Sequence, residues 1–246
     1  MKLSLTTVLL YLTLFSAPSS NTQIHSQSFK IKYDWFCSFC AGKGFSSTLY
    51  TNDLGSIYVF KEKDLNQSAE QDETIIHDTT RRYIRFDRTR DSIYELGFLR
   101  SINACGIIIA EKQSPIKWNL IDSTRVIEGY KCKYAVGNFR GRKYFAWYDP
   151  SVKTSYGPWK LHGLPGAIIF VTDSTKELSF KVASIESTEI QSFDQILKLK
   201  KLPIVARSIY REKREEVYNR MDSIKPEEGS GVTFDISIEK NYFEFE

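Results

Sequence analysis

Residues 129–148 read GYKCKYAVGNFRGRKYFAWY. Tyr130, Cys132, Tyr134 and Val136 fall on one side of an extended chain and Lys131 and Lys133 on the other, Asn138 to Arg142 carries turn residues, and Lys143 to Tyr148 returns as an aromatic, strand-prone run. A period of two that stops at a Gly- and Asn-containing turn and then resumes predicts a β-hairpin. Upstream, Ser56 to Phe60, Arg82 to Asp87, Ser92 to Leu99, Ile107 to Ala110 and Trp118 to Asp122 have the same character. Downstream, Asp149-Pro150 ends the hairpin, Ala167 to Thr172 is a strongly β-prone run, Asp173-Ser174-Thr175 is a turn and Leu178 to Ile185 is another strand. Consecutive strands with short connections make an antiparallel meander rather than a doubly wound sheet.

The carboxy-terminal part changes character. Ser192 to Lys201 predicts a short helix begun by an N-capping serine, Pro203 breaks it, and Ser208 to Ile224 predicts a charged helix with Tyr210, Val217, Met221 and Ile224 along one side. Residues 192–224 are thus helical, and VTFDISIEKNYFEFE at the end is a last strand or a loose tail. Ser26 to Tyr33 is extended and mostly polar, DWFCSFCAGKG after it reads as a loop, and the polar stretch 61–80 lacks periodicity, as a long surface loop does. The expected fold is mainly β with α, an α+β chain built as a curved antiparallel sheet or half barrel with a carboxy-terminal helix.

Residues 1–20, MKLSLTTVLLYLTLFSAPSS, place one positive charge before an apolar run and end in small residues, the layout of a secretory signal peptide. The run is shorter than the roughly 18–20 residues that span a bilayer, so no transmembrane anchor is expected after cleavage. Residues 21–246 then form a single β-rich domain. The formal charge of +4 is scattered among acids rather than gathered in a stripe, which argues against nucleic acid as a partner. Aromatic residues make up 14% of the chain, suited to a β-rich core or an apolar groove.

Cys37, Cys40, Cys105 and Cys132 are candidate disulfide cysteines, since an even count in an exported chain is the pattern of oxidised pairs. Cys37 and Cys40 form a CxxC that a redox site also uses, whereas zinc wants a second close pair that Cys105 and Cys132 do not make. No metal or cofactor site is expected.

Residues 157–168, GPWKLHGLPGAI, hold two Gly/Pro turn signals around an aromatic, a lysine and a histidine. Leu164-Pro165-Gly166-Ala167 fits a type II turn, with Pro165 second and Gly166 third. Gly157, Pro158, Gly163, Leu164, Pro165 and Gly166 are read as architectural. Trp159, Lys160 and His162 are either presented at the mouth of a sheet or packed as a corner, and the corner is favoured because a lone histidine without a partner pattern seldom marks a catalyst. Only three histidines occur, His25, His77 and His162, and no HExxH, GxSxG, GxxxxGK[ST] or GxGxxG pattern is present. No catalytic residue is assigned.

The run from Ile127 to Phe170 closely resembles the signature region of the GLPGLI family of secreted bacterial proteins. The matching elements are Gly129-Tyr130, Phe139-Arg140-Gly141-Arg142, Ala146-Trp147-Tyr148, Gly157-Pro158 and Gly163-Leu164-Pro165-Gly166, with Asp173 shortly after and Ala167 in place of the leucine of the family name. The resemblance implies export into the envelope of a Gram-negative bacterium and a mostly antiparallel β domain, in a family of unknown function.

Two main readings follow. In the first, the protein is a non-catalytic envelope protein that binds an apolar ligand or a peptide or protein partner, with Arg140, Arg142, Trp147, Trp159, Lys160 and His162 as candidate binding residues. In the second it is an envelope hydrolase or thiol-disulfide protein, which requires His162 to meet Asp173 beside a cleft, with Lys160, Arg140 and Arg142 near, or an exposed CxxC. A structural or partner-binding protein that uses its sheet edge is a third option.

Overall fold

A computed structural model describes residues 27–38, 45–62, 82–99, 104–196 and 202–222. The expected leader 1–20, His25, His77, Cys40, most of the 61–80 loop, residues 197–201 and the tail after 222 lie outside these residues, as does the side chain of Cys105. The chain forms β1 (Ser28–Cys37), β2 (Phe45–Asn52), β3 (Gly55–Glu62), β4 (Arg82–Asp87), β5 (Ser92–Leu99) and β6 (Ala104–Lys112). It continues through β7 (Trp118–Ile127), β8 (Tyr130–Phe139), β9 (Arg142–Asp149), β10 (Ala167–Asp173) and β11 (Leu178–Thr188), and ends with α1 (Phe193–Ile196), β12 (Ile204–Ala206) and α2 (Arg207–Asp222).

All twelve strands belong to one open sheet, in the order β12-β6-β5-β4-β3-β2-β1-β11-β10-β9-β8-β7. Two meanders, β1 to β6 and β7 to β11, are joined where β1 pairs antiparallel with β11 from Ser28↔Thr188 to Cys37↔Leu178. Among the described strands only β12, beside β6, runs parallel to its neighbour. The expected mainly β, antiparallel architecture with a carboxy-terminal helix is what forms. The hairpin of residues 129–148 is β8 and β9, turning through Arg140 and Gly141 at φ 50° and 76°. Glu128 and Gly129 join β7 to β8 at φ 49° and 84°. Positive φ at both central residues is the type I′ geometry, whose twist matches that of the flanking strands.

The sheet is strongly curled. A five-residue connection, 113–117, carries the chain from β6, second in the sheet, to β7, twelfth. Such a connection spans about 20 Å at most, whereas ten strand spacings laid flat would cover about 48 Å. The concave face is closed by the segment between β9 and β10. The His162 ring lies 5.2 Å from Phe86 of β4 and 6.0 Å from Phe139 of β8, strands seven places apart.

Alternation puts two cores on the two faces. Leu49, Tyr58, Ile84, Phe86 and Ile93 join the inner core, together with Tyr33, Trp35, Phe180, Trp159, Leu161 and Leu164. Residues of opposite parity on the same strands, Tyr50, Ile57, Val59, Tyr83 and Leu96, form an outer core under Phe193, Ile190 and Leu202. Arg85, on that outer face, pairs with Asp194 of α1 at 2.9 Å. The N-cap of α1 is Ser192, whose Oγ accepts from the Asp194 N–H at 3.2 Å, as its sequence predicts.

Three local expectations are corrected. Residues 34–37 are not loop: β1 runs on through Trp35 to Cys37, because both β2 and β11 pair with this stretch and bury Trp35 and Cys37. β2 and β12 were not anticipated, β2 being rich in Ser and Thr and β12 only three residues long. Finally, Gly166 does not take the positive φ that a type II turn needs; the left-handed glycine is Gly163, at φ 91°. Gly166 is required for another reason. A Cβ there would collide with the Asp149 carbonyl oxygen and come within 2.7 Å of Pro150 Cα, where the chain crosses its own backbone.

Candidate functional site

The segment 152–163 is a miniature hairpin. Tyr156 bridges His162, the Gly157 N–H donates to the Leu161 carbonyl at 2.8 Å, and the Leu161 N–H donates to the Pro158 carbonyl at 3.1 Å. Trp159 sits at this tip with φ 54°, a left-handed conformation that costs a bulky residue on the order of 1–2 kcal/mol. Burial offsets it: the Trp159 ring packs edge-on against Phe139 at 5.8 Å and near Tyr144 at 6.5 Å. Trp118 secures the other arm by donating its Nε1–H to the His162 carbonyl at 2.8 Å.

The tip inserts Lys160 into the interior, where its side chain is 0% exposed. Its ammonium meets Glu95 Oε2 of β5 at 2.7 Å and Glu111 Oε1 of β6 at 2.9 Å. Arg140, from the β8–β9 turn, reaches Glu111 Oε2 at 2.7 Å while its guanidinium lies 5.0 Å from the centroid of the Phe139 ring. Arg207, the first residue of α2, contacts the same carboxylates, Glu111 at 3.3 Å and Glu95 at 3.6 Å. Burial opposes ionisation of Glu111, yet Lys160, Arg140 and Arg207 together hold its carboxyl below the ordinary range. Burial likewise pulls the Lys160 ammonium down from the usual lysine value, against the support of Glu95 and Glu111.

His162 is 3% exposed and stands beside this cluster. Its Nδ1 lies 2.9 Å from the Lys160 carbonyl, an arrangement in which Nδ1–H is the donor. Its Nε2 is buried and finds no aligned hydrogen-bond partner among the described residues. Burial pulls the imidazole below its ordinary value.

The remaining sequence candidates lie elsewhere. Arg142, at the start of β9, binds Asp173 and donates to Glu177 at 3.0 Å. Asp173 also accepts from Thr175 Oγ1 at 2.7 Å and from the Leu178 N–H at 3.0 Å, so it organises the β10–β11 turn. Burial works against its charge, but these donors hold its carboxyl low. Trp147 packs in a tilted arrangement on Tyr134 with ring centroids 4.7 Å apart, on the face of β9 opposite the buried Tyr144, Ala146 and Tyr148. Cys132 is a free, buried thiol rather than half of a disulfide, its ionisation pushed up to about 11 by burial. Cys37 is buried and disulfide-bonded.

The fold therefore brings Arg140, Trp159, Lys160 and His162 together and leaves Arg142 with Asp173. His162 and Asp173 enter separate hydrogen-bond sets, so the acid–base pair required for hydrolysis is not assembled by these two residues. Glu95, Glu111 and Arg207 were missed. A signal for one existed: Glu111 has the same parity as Ile107 and Ile109, which places a carboxylate on the core face of β6.

No family model and no curated protein matches the chain. Among solved structures, PNGF-II in a C2 crystal form superposes with TM-score 0.53 at 16% identity, over 76% of this chain and 32% of that one. A P21 form of PNGF-II gives 0.51 at 13% identity, over 76% and 33%. The chain thus spans about a third of the PNGF-II chain, and the likeness is one of fold. MucB in complex with MucA(peri) is more distant, with TM-score 0.36 at 10% identity over 69% of this chain and 53% of that one.

Proposed function

We propose that the protein is an exported, non-catalytic binding protein of the bacterial cell envelope, in keeping with its resemblance to the GLPGLI family, and that what it binds is a polypeptide. The charged and aromatic residues of the signature segment are spent on internal contacts: Lys160 and Arg140 on Glu111, Arg142 on Asp173, and Trp159 on the inner core. An apolar ligand would need an open concave face, and the described interior is occupied by Tyr33, Tyr58, Phe86 and Trp159.

The observation that carries the reading is β7. It is a ten-residue strand at the end of the sheet, exposed along most of its length, with Leu120, Ile121 and Val126 at 54%, 39% and 65% exposure. Its irregularity between Ile121 and Thr124 leaves two regular runs, 118–121 and 124–127, whose outer edge no other described strand pairs, as an added strand would require. A photo-crosslinking amino acid at Val126, in cells that produce the protein, tests this. The expected result is a polypeptide adduct at Val126 and none at Leu54, which is 56% exposed on the β2–β3 turn. Adducts at Leu54 only would refute the assignment to β7.

A further inference from the structure

The opposite edge of the sheet ends in a different way. There the nine-residue strand β6 is covered over three residues, Ile204↔Ile108, Val205↔Ile109 and Ala206↔Ala110, by the parallel strand β12, and α2 follows at once. Ile107 and Ile109 are 0% and 3% exposed and form a small core of their own, whose apolar cover among the described residues is Val205 and Tyr210. That cover is thin, since Ile204 and Ile209 of the same segment point to solvent at 67% and 49% exposure.

The electrostatics of this contact hold it without locking it. Arg207 is bound to Glu95 and Glu111, but both carboxylates also hold closer and more deeply buried cations, Lys160 at 2.7 and 2.9 Å and Arg140 at 2.7 Å. Removing one member of a buried pair is costly because it strands the other charge. Withdrawal of Arg207 strands neither glutamate, and Arg207, already 22% exposed, returns to water. A segment with so few apolar contacts to the sheet among the described residues, held by an ion pair whose acidic partners keep other cations, belongs to the low-stability end of the structure.

We infer that β12 and α2 form a displaceable strap, which occupies in cis the β6 edge at which an extended segment of a partner polypeptide pairs. The segment that fits is aliphatic, to cover Ile107 and Ile109 as Val205 does, and carries a basic residue just after its strand, to meet Glu95 and Glu111 as Arg207 does. This site is separate from β7 and does not depend on the proposal made for it.

Amide hydrogen exchange of the full chain tests the strap. Residues 204–222 are expected to exchange about 100-fold faster than the paired amides of β1 and β11, and Arg207→Ala to accelerate the strap about five-fold while leaving β1 and β11 unchanged. The docking half is tested with a labelled synthetic peptide, LPIVARSIYR, which copies residues 202–211. Fluorescence anisotropy should show it binding R207A more tightly than the unaltered chain. It should fail to bind an oxidised A110C/A206C variant, in which register partners are crosslinked, yet still bind the A110S/A206S control. Strap exchange at the rate of β1 overturns the inference. So does a strap that opens while the peptide binds neither R207A nor the serine control, or a peptide that binds the crosslinked variant as well as the control.

Discussion

Glu111→Gln removes the carboxylate on which three cations from three different parts of the chain converge, at 2.7, 2.9 and 3.3 Å. Two of them are deeply placed: the side chains of Lys160 and Arg140 are 0% and 8% exposed. Breaking a buried pair from one side costs about 3–5 kcal/mol, and although Lys160 retains Glu95 at 2.7 Å, all three cations lose the carboxylate that joins them. The longer, partly exposed Arg207 contact adds about 1 kcal/mol. Against a usual domain stability of about 5–15 kcal/mol the loss is large. At an m-value of about 3 kcal/mol/M it lowers the urea midpoint by about 1–2 M. Lys160→Met is the informative companion. It takes out the most buried charge and replaces it with an apolar chain of similar length, while Glu111 keeps Arg140 and Arg207, and Glu95, itself 28% exposed, keeps Arg207. Its cost should stay below about 2 kcal/mol. Urea unfolding of both variants at unchanged m decides the matter. A midpoint shift under about 0.3 M for Glu111→Gln, or a larger loss for Lys160→Met than for Glu111→Gln, refutes the idea that this carboxylate anchors the inserted hairpin.

Other consequences are as direct. Gly166→Ala puts a methyl group into the Asp149 backbone and should cost more than about 3 kcal/mol, whereas Gly129→Ala, with nothing within 4 Å and only its φ of 84° to resist it, should cost about 1 kcal/mol in the same unfolding assay. His162 has its folded-state pKa lowered by burial, so the unfolded chain binds its proton first as pH falls. Its contribution is complete above about pH 6.5 and declines below it by up to about 1.4 kcal/mol per pH unit; His162→Asn should flatten that slope in unfolding curves measured between pH 7 and 5. Cys132, buried and with its ionisation raised to about 11, should react with a thiol reagent only at the rate of unfolding. With Cys37 bonded and Cys132 free, the intact mass should show one disulfide rather than two.

The sheet was legible in the sequence where each strand carries its own alternation. β8 and β9 declare themselves through Tyr130 to Tyr148, and β10 through Ala167 to Thr172, since period-two patterning and turn residues are local properties. β2 was not legible, because Ser46, Ser47 and Thr48 carry no apolar alternation and gain their place from β1 and β3 on either side. The trajectory of Leu164 to Ala167 was misjudged for a related reason. Proline and glycine announce a turn, but whether the glycine serves φ or close approach depends on a strand fifteen residues and more away in sequence, here the end of β9 at Asp149. In the candidate site, Lys160 and Arg140 were singled out as candidate binding residues, Lys160 between two Gly/Pro turn signals and Arg140 in the hairpin turn. Their partners were not, because Glu95, Glu111 and Arg207 come from strands and a helix that meet only when the sheet curls.

The most direct test of the central claim, that this is a protein that binds a polypeptide and not a small molecule, is native mass spectrometry of the protein taken gently from cells that produce it. The account predicts additional mass of protein size, released on denaturation and sequenced as a polypeptide. A tightly held adduct of a few hundred daltons, retained through purification and lost only on unfolding, would contradict it.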